Sequence, residues 1–186
     1  KGFETSRGAF EDMAEKLGFT FADMYGEPYW DETSAYSFTL AEVEENIVDP
    51  CTDLHALCRE AVAAILADEG LMSRMGILPA HWDFIAESWR KADPELYGRF
   101  DLAYDGTGPA KMLEYNADTP TSLYETASFQ WQWLEDQMAA GTLAPDSDQF
   151  NGLHEALVTR FAALFAPETD LHFTAAANTP TNTTTQ

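Results

Sequence analysis

Residues 99–122 read RFDLAYDGTGPAKMLEYNADTPTS, and the reading of this stretch decides the fold. Apolar and polar residues alternate over Arg99–Tyr104 and again over Lys111–Asn116, the two-residue period of a half-buried strand. Between them DGTGPA supplies two glycines and a proline, which is turn chemistry. The pair reads as an antiparallel hairpin. Side chains two apart on a strand point the same way, so Arg99 shares a face with Asp101, and Glu114 with Asn116. If Tyr104 closes against Lys111 around the six-residue loop Asp105–Ala110, Asp101 faces Glu114 and Arg99 faces Asn116. All four polar groups then converge, whereas a one-residue slip would separate them. Phe100, Leu102, Tyr104, Leu113 and Tyr115 occupy the opposite face and are expected to bury it.

Two carboxylates facing each other repel, so a purely structural sheet has little reason to place them there. A divalent cation removes that cost. Two carboxylates and an amide carbonyl form an oxygen-only donor set that suits Mg2+, and Arg99 beside them offers a planar fork to phosphate or carboxylate. The competing reading is a solvent-facing strand with incidental charges, which antiparallel sheets commonly carry.

The chain around this hairpin has 186 residues, long enough for one sizeable core. A hydrophobic share of 45% with 13% aromatic residues excludes a disordered chain, and no apolar run reaches membrane-spanning length. With 32 acidic and ten basic residues the net charge is −22, which excludes a nucleic-acid partner for want of an electrostatic footprint for phosphates. No signal-peptide pattern opens the chain, so a cytoplasmic location is expected. Cys51 and Cys58 lie seven apart in a helical pattern, too far for a disulfide, and read as reduced core residues. The four histidines are scattered, with neither a zinc-ligand spacing nor a nucleophile motif near them.

Helical periodicity runs from Phe10 to Leu17, and GFTFADMYGEPYW follows with loop or short-strand spacing. Thr39-Leu-Ala-Glu42 is a capping box opening a long helix, which Pro50 is expected to break or kink and Gly70 to stop. A shorter helix over AHWDFIAESWRK ends before Asp93-Pro94. Thr119-Pro-Thr-Ser starts a helix that carries Trp131 and Trp133, too close in sequence to share one helix face. Asp146-Ser-Asp is expected to cap a further helix, with LHFTAAA after it as a short buried strand.

RFDLAYDGTG and KMLEYNADTPTS, together with PYWDE, SLYETASFQWQWLED and DQFNGLHEAL, resemble the glutathionylspermidine synthetase-like family of ATP-grasp ligases from about Gly18 to Phe173. The resemblance implies an α/β (α+β) fold: a mostly helical pre-ATP-grasp part over residues 1–98, then the metal- and substrate-binding portion of an ATP-grasp ligase over 99–186, incomplete at its C-terminal side. It implies an ATP- and Mg2+-dependent ligase in which ATP phosphorylates a carboxylate and an amine attacks the acyl phosphate. The substrates would be a small-molecule acid and amine, such as a glutathione-like peptide and a polyamine. By motif, the Mg2+ ligands fall on Asp101, Glu114 and Asn116, and the catalytic, nucleotide-contacting arginine on Arg99, with Asp101 sharing in nucleotide binding. The positions that would hold the acid substrate fall on Thr119 and Thr121.

The chain departs from the family in two respects. It has only Lys1, Lys16, Lys91 and Lys111, none in a phosphate-cradling context, and Asn178–Asn182 stand where the family carries an acidic cluster. A fragment of a longer ligase is therefore expected; the rival reading is a non-catalytic acidic binding or assembly module that keeps the scaffold.

Overall fold

Thr39 opens the long helical stretch through a reciprocal pair of bonds. In the computed structural model, which describes residues 14–15, 18–19, 21, 23–117, 121–150 and 152–172, Thr39 Oγ1 accepts the Glu42 amide at 3.1 Å and Glu42 Oε2 accepts the Thr39 amide at 3.3 Å. This is the expected capping box. Helix α1 (Leu40–Val43) runs into a π-helical segment, Glu44–Val48, and then into α2 (Asp49–Leu66).

Pro50 does not interrupt this path. It sits in the first turn of α2, directly after the π segment, in which the Asp49 amide reaches back to the Glu44 carbonyl. Having no N–H, Pro50 cannot donate to the carbonyl of Asn46 four residues back. The Ala110 amide donates to that carbonyl instead, at 2.8 Å. The proline thus frees an acceptor on which the hairpin loop docks. Gly70 does not end the helix either: α2 stops at Leu66, Asp68 Oδ1 accepts the Leu71 amide at 3.0 Å, and α3 (Glu69–Arg74) contains the glycine. A new N-cap takes over before the glycine is reached.

After a 3-10 turn at Pro79–His81, α4 (Trp82–Lys91) ends as expected before Asp93-Pro94, closed by Ala92 in the left-handed conformation at φ +51°. Upstream, β1 (Asp23–Met24) and β2 (Glu27–Pro28) form a minimal antiparallel hairpin. Tyr25 and Gly26, at φ +58° and +80°, supply the two left-handed residues that such a tight turn requires.

The central hairpin pairs β3 (Arg99–Ala103) with β4 (Lys111–Asn116). Asp101 faces Glu114 and Arg99 faces Asn116, as the alternation requires. The turn end differs from expectation: Ala103, not Tyr104, faces Lys111, and Leu102 faces Met112. Leu113 is the extra residue of a bulge, and it restores the pairing of the two carboxylates. Because of this bulge Leu113 is 71% exposed rather than buried, and Met112 takes the place beside Leu102. Tyr104 leaves the ladder and donates its hydroxyl to Glu42 Oε1 at 2.8 Å, tying the hairpin to α1.

Downstream lie a second π-helical segment, Glu125–Phe129, then α5 (Gln130–Ala139) and α6 (Leu153–Leu164). Asp146-Ser-Asp does not cap α6. A turn closed by the Ser147 amide on the Ala144 carbonyl (3.0 Å) holds these residues, and Gly152 stands at the helix start. Leu171 and His172 are not part of a strand; the remainder of the expected strand, and most of the expected Phe10–Leu17 helix, lie outside the described residues.

The core gathers Ala14, Phe19 and Phe129, with Phe21 and Trp30 packed against them. Phe19 and Phe129 rings lie 4.2 Å apart, and the Trp30 indole donates to the buried Glu32 carboxylate at 2.7 Å. Trp131 is exposed and Trp133 half-buried. Cys51 and Cys58 are free thiols on α2, half-buried rather than in the core. The architecture is α+β, with helices around two small antiparallel sheets among the described residues. No described helix is long and apolar enough to cross a membrane.

Candidate functional site

The period-two backbone of the hairpin presents Arg99, Asp101, Glu114 and Asn116 on one face. The other face is anchored. Phe100 stacks on Tyr115 at 4.1 Å, the Tyr115 hydroxyl meets His55 Nδ1 of α2 at 3.0 Å, and Gly98 leaves room for the tyrosine ring. A rigid apolar side therefore carries a half-exposed polar one.

Arg99 organises the polar face. Its Nε donates to Asp101 Oδ1 at 2.8 Å and its Nη2 to Oδ2 at 3.4 Å. Its Nη1 donates to both the carbonyl and the hydroxyl of Thr121, at 3.1 and 2.9 Å. The guanidinium bond holds the Asp101 carboxyl below the ordinary aspartate range, and the same bond raises Arg99. Arg99, expected to contact phosphate and substrate, and Thr121, expected to help hold the acid, are thus in direct contact. Thr119 lies outside the described residues.

Among the described residues no three His, Cys, Asp or Glu side chains converge as a metal site. The hairpin face instead offers two carboxylates and the amide of Asn116, a hard oxygen set. Its fit to Mg2+ rests on the cross-strand pairing of Asp101 with Glu114: of these two carboxylates Arg99 hydrogen-bonds only Asp101, and Glu114 makes no side-chain hydrogen bond with the described residues. For a nucleotide the fit is partial. Arg99 is the cationic group on this face, while Lys91 pairs with Glu87 at 2.7 Å and Lys111 lies at the turn end of β4.

Sequence reasoning missed Tyr29 and Glu125. The Tyr29 hydroxyl donates to Glu125 Oε1 at 2.8 Å, across 96 positions. The Ser122 hydroxyl bonds the same phenol oxygen and pulls its pKa down, but Glu125 and partial burial push it further up, so the phenol titrates above its ordinary 10.0. Both residues stand in blocks that carried the family resemblance, PYWDE and SLYETASFQWQWLED, and that was their one signal in the sequence.

The described residues thus form an α+β scaffold that presents an acidic hairpin face beside an oriented arginine. The chain belongs to the glutathionylspermidine synthase preATP-grasp family, whose model matches residues 2–186. Among its relatives is a Haemophilus influenzae protein named "Putative acid–amine ligase", 41% identical over 172 residues, covering 88% of this chain and 42% of that protein. The trypanothione synthetase of Crithidia fasciculata is 34% identical over 85 residues, 45% of this chain and 13% of the relative. The bifunctional glutathionylspermidine synthetase/amidase of Escherichia coli is 23% identical over 147 residues, 78% of this chain and 24% of the relative. The chain thus spans less than half the length of these relatives.

Proposed function

We propose that this chain is part of an ATP- and Mg2+-dependent acid–amine ligase, supplying the metal-binding face and part of the acid-substrate site. The observation that carries the reading is the convergence of Arg99, Asp101, Glu114 and Asn116 on one hairpin face, in a family whose relatives bear ligase and synthetase names. Asp101, Glu114 and Asn116 would hold Mg2+. When bound, the ion supplies charge neutralisation for the transferring phosphoryl group. Arg99 then orients the transferring phosphate or the acid's carboxylate through its charge and the guanidinium N–H that Asp101 and Thr121 leave. Thr121, and with it Thr119, hold the acid in line. ATP transfers its γ-phosphoryl group to the acid's carboxylate and leaves as ADP; the amine nitrogen then attacks the acyl carbon, loses a proton and expels phosphate, which forms the amide. The substrates we favour are a glutathione-like peptide and a polyamine, and the lysines that complete the nucleotide site belong to a longer protein.

Calorimetric titration of the longer protein with Mg2+ and ATP, in wild type and Glu114→Gln, tests this. Binding in wild type that is lost in the variant is expected. Absence of binding in a folded wild type would overturn the reading and favour a binding module.

A further inference from the structure

Two adjacent residues after β2 grip the second π-helix at both ends. Tyr29 hydrogen-bonds Glu125, and the Trp30 ring packs on Phe129 at 6.1 Å. Glu125 and Phe129 are four apart and lie on one side of the helix, so a polar and an apolar contact act together. π-helical turns are rare overall but frequent at functional sites. This one begins three residues after the turn that Arg99 holds.

Within that turn Ser122 is left-handed at φ +70°, a conformation costly for a residue with a Cβ unless its surroundings enforce it. The enforcing contacts lie on both sides. Upstream, Arg99 Nη1 holds the carbonyl and hydroxyl of Thr121. Downstream, the Ser122 carbonyl accepts the Thr126 amide at 3.2 Å and the Thr126 hydroxyl at 2.7 Å, and Tyr29 holds Glu125 beside it. The Arg99 bond and the downstream anchor thus bracket the one strained residue of the turn.

We infer that Tyr29 and Glu125 are positioning residues that fix the orientation of the Arg99 guanidinium through the Thr121–Ser122 turn. This rests on the proposed role of the Arg99 face and extends the site to a segment 70 residues upstream of that arginine, since Tyr29 hydrogen-bonds across to Glu125. The fork is held from two sides, by Asp101 and by Thr121. These bonds engage Nε, Nη1 and one N–H of Nη2, so an incoming phosphate or carboxylate meets a guanidinium of preset orientation with an Nη2 N–H left to donate.

The test follows the Arg99 Nε–H resonance in the full chain labelled with 15N-arginine, assigned with Arg99→Lys. Tyr29→Phe and Glu125→Ala are each expected to shift it and to speed its hydrogen exchange by a few-fold to about tenfold, the worth of one hydrogen bond. The shift should run in the direction that Thr121→Val produces, and the double variant should add nothing to the larger single effect. An unchanged resonance and rate in both variants, where Thr121→Val alters them, overturns the inference. A change that comes only with loss of the Phe100 and Tyr115 amide peaks overturns it too, because it marks general unfolding. A wild type that fails to bind Mg2+ and ATP overturns the ligase reading alone, and the Arg99 resonance still decides the positioning role.

Discussion

Asp101 stands directly across the hairpin from Glu114, and β4 carries an extra residue, Leu113, that makes this pairing possible. A ladder serving only as scaffold gains nothing from this, since facing like charges destabilise it. The bulge exposes Leu113 as well. Bulges that re-aim side chains gather beside functional sites, and here the re-aimed group is a carboxylate.

Replacing Glu114 should therefore act in opposite directions with and without metal. Metal-free Glu114→Gln is expected to melt slightly above wild type, because one repulsion is gone. With Mg2+ at about 100 times its dissociation constant, wild type should gain about 2.7 kcal/mol and the variant none. Thermal denaturation with and without Mg2+ measures both effects.

Pro50 leaves the Asn46 carbonyl to the Ala110 amide. Pro50→Ala restores a helix N–H that competes for that carbonyl. Amide exchange at Ala110 should accelerate by roughly tenfold, the equivalent of one hydrogen bond, while α2 stays folded. Exchange at Ala110 as slow as in wild type would show that the loop docks by other means.

Gly98 has no room for a side chain: a Cβ there would come within 2.6 Å of the Tyr115 ring. That ring is held by Phe100 and His55 and cannot move freely. Gly98→Ala should cost about 1–3 kcal/mol in urea denaturation, the usual penalty of overpacking. Tyr115→Leu should relieve much of that cost in the double variant.

Asp105 Oδ1 accepts the hydroxyl and the amide of Thr107, and the hydroxyl first, then the amide, lowers its pKa below the ordinary 3.8. A depressed carboxylate means that the unfolded state binds the proton more readily, so stability rises with pH through this window. The turn's contribution is full above the ordinary aspartate value and is lost as pH falls through the lowered one. Asp105→Asn should remove that part of the acid limb, which equilibrium unfolding between about pH 2 and 5 will read.

Phe129 is fully buried against Phe19. Phe129→Ala should cost about 3–5 kcal/mol by denaturant unfolding, the usual range for a buried aromatic. It should also loosen the π-helix that carries Glu125.

The sequence by itself determined both strands of the hairpin, the polar face they share, the capping box at Thr39 and the stop before Asp93-Pro94. These are local properties: side-chain period two and helix-end chemistry are set by backbone geometry within a few residues. Tertiary structure alone decided the bulge at Leu113, the continuous path through Pro50 and the link from Tyr29 to Glu125. Alternation counts residues evenly, so it cannot see one that a bulge adds. A missing N–H reads as a break until a partner such as Ala110 arrives from 60 positions away. The Tyr29–Glu125 bond joins segments whose spacing carries no periodic trace, and only packing of the aromatic core brings them together.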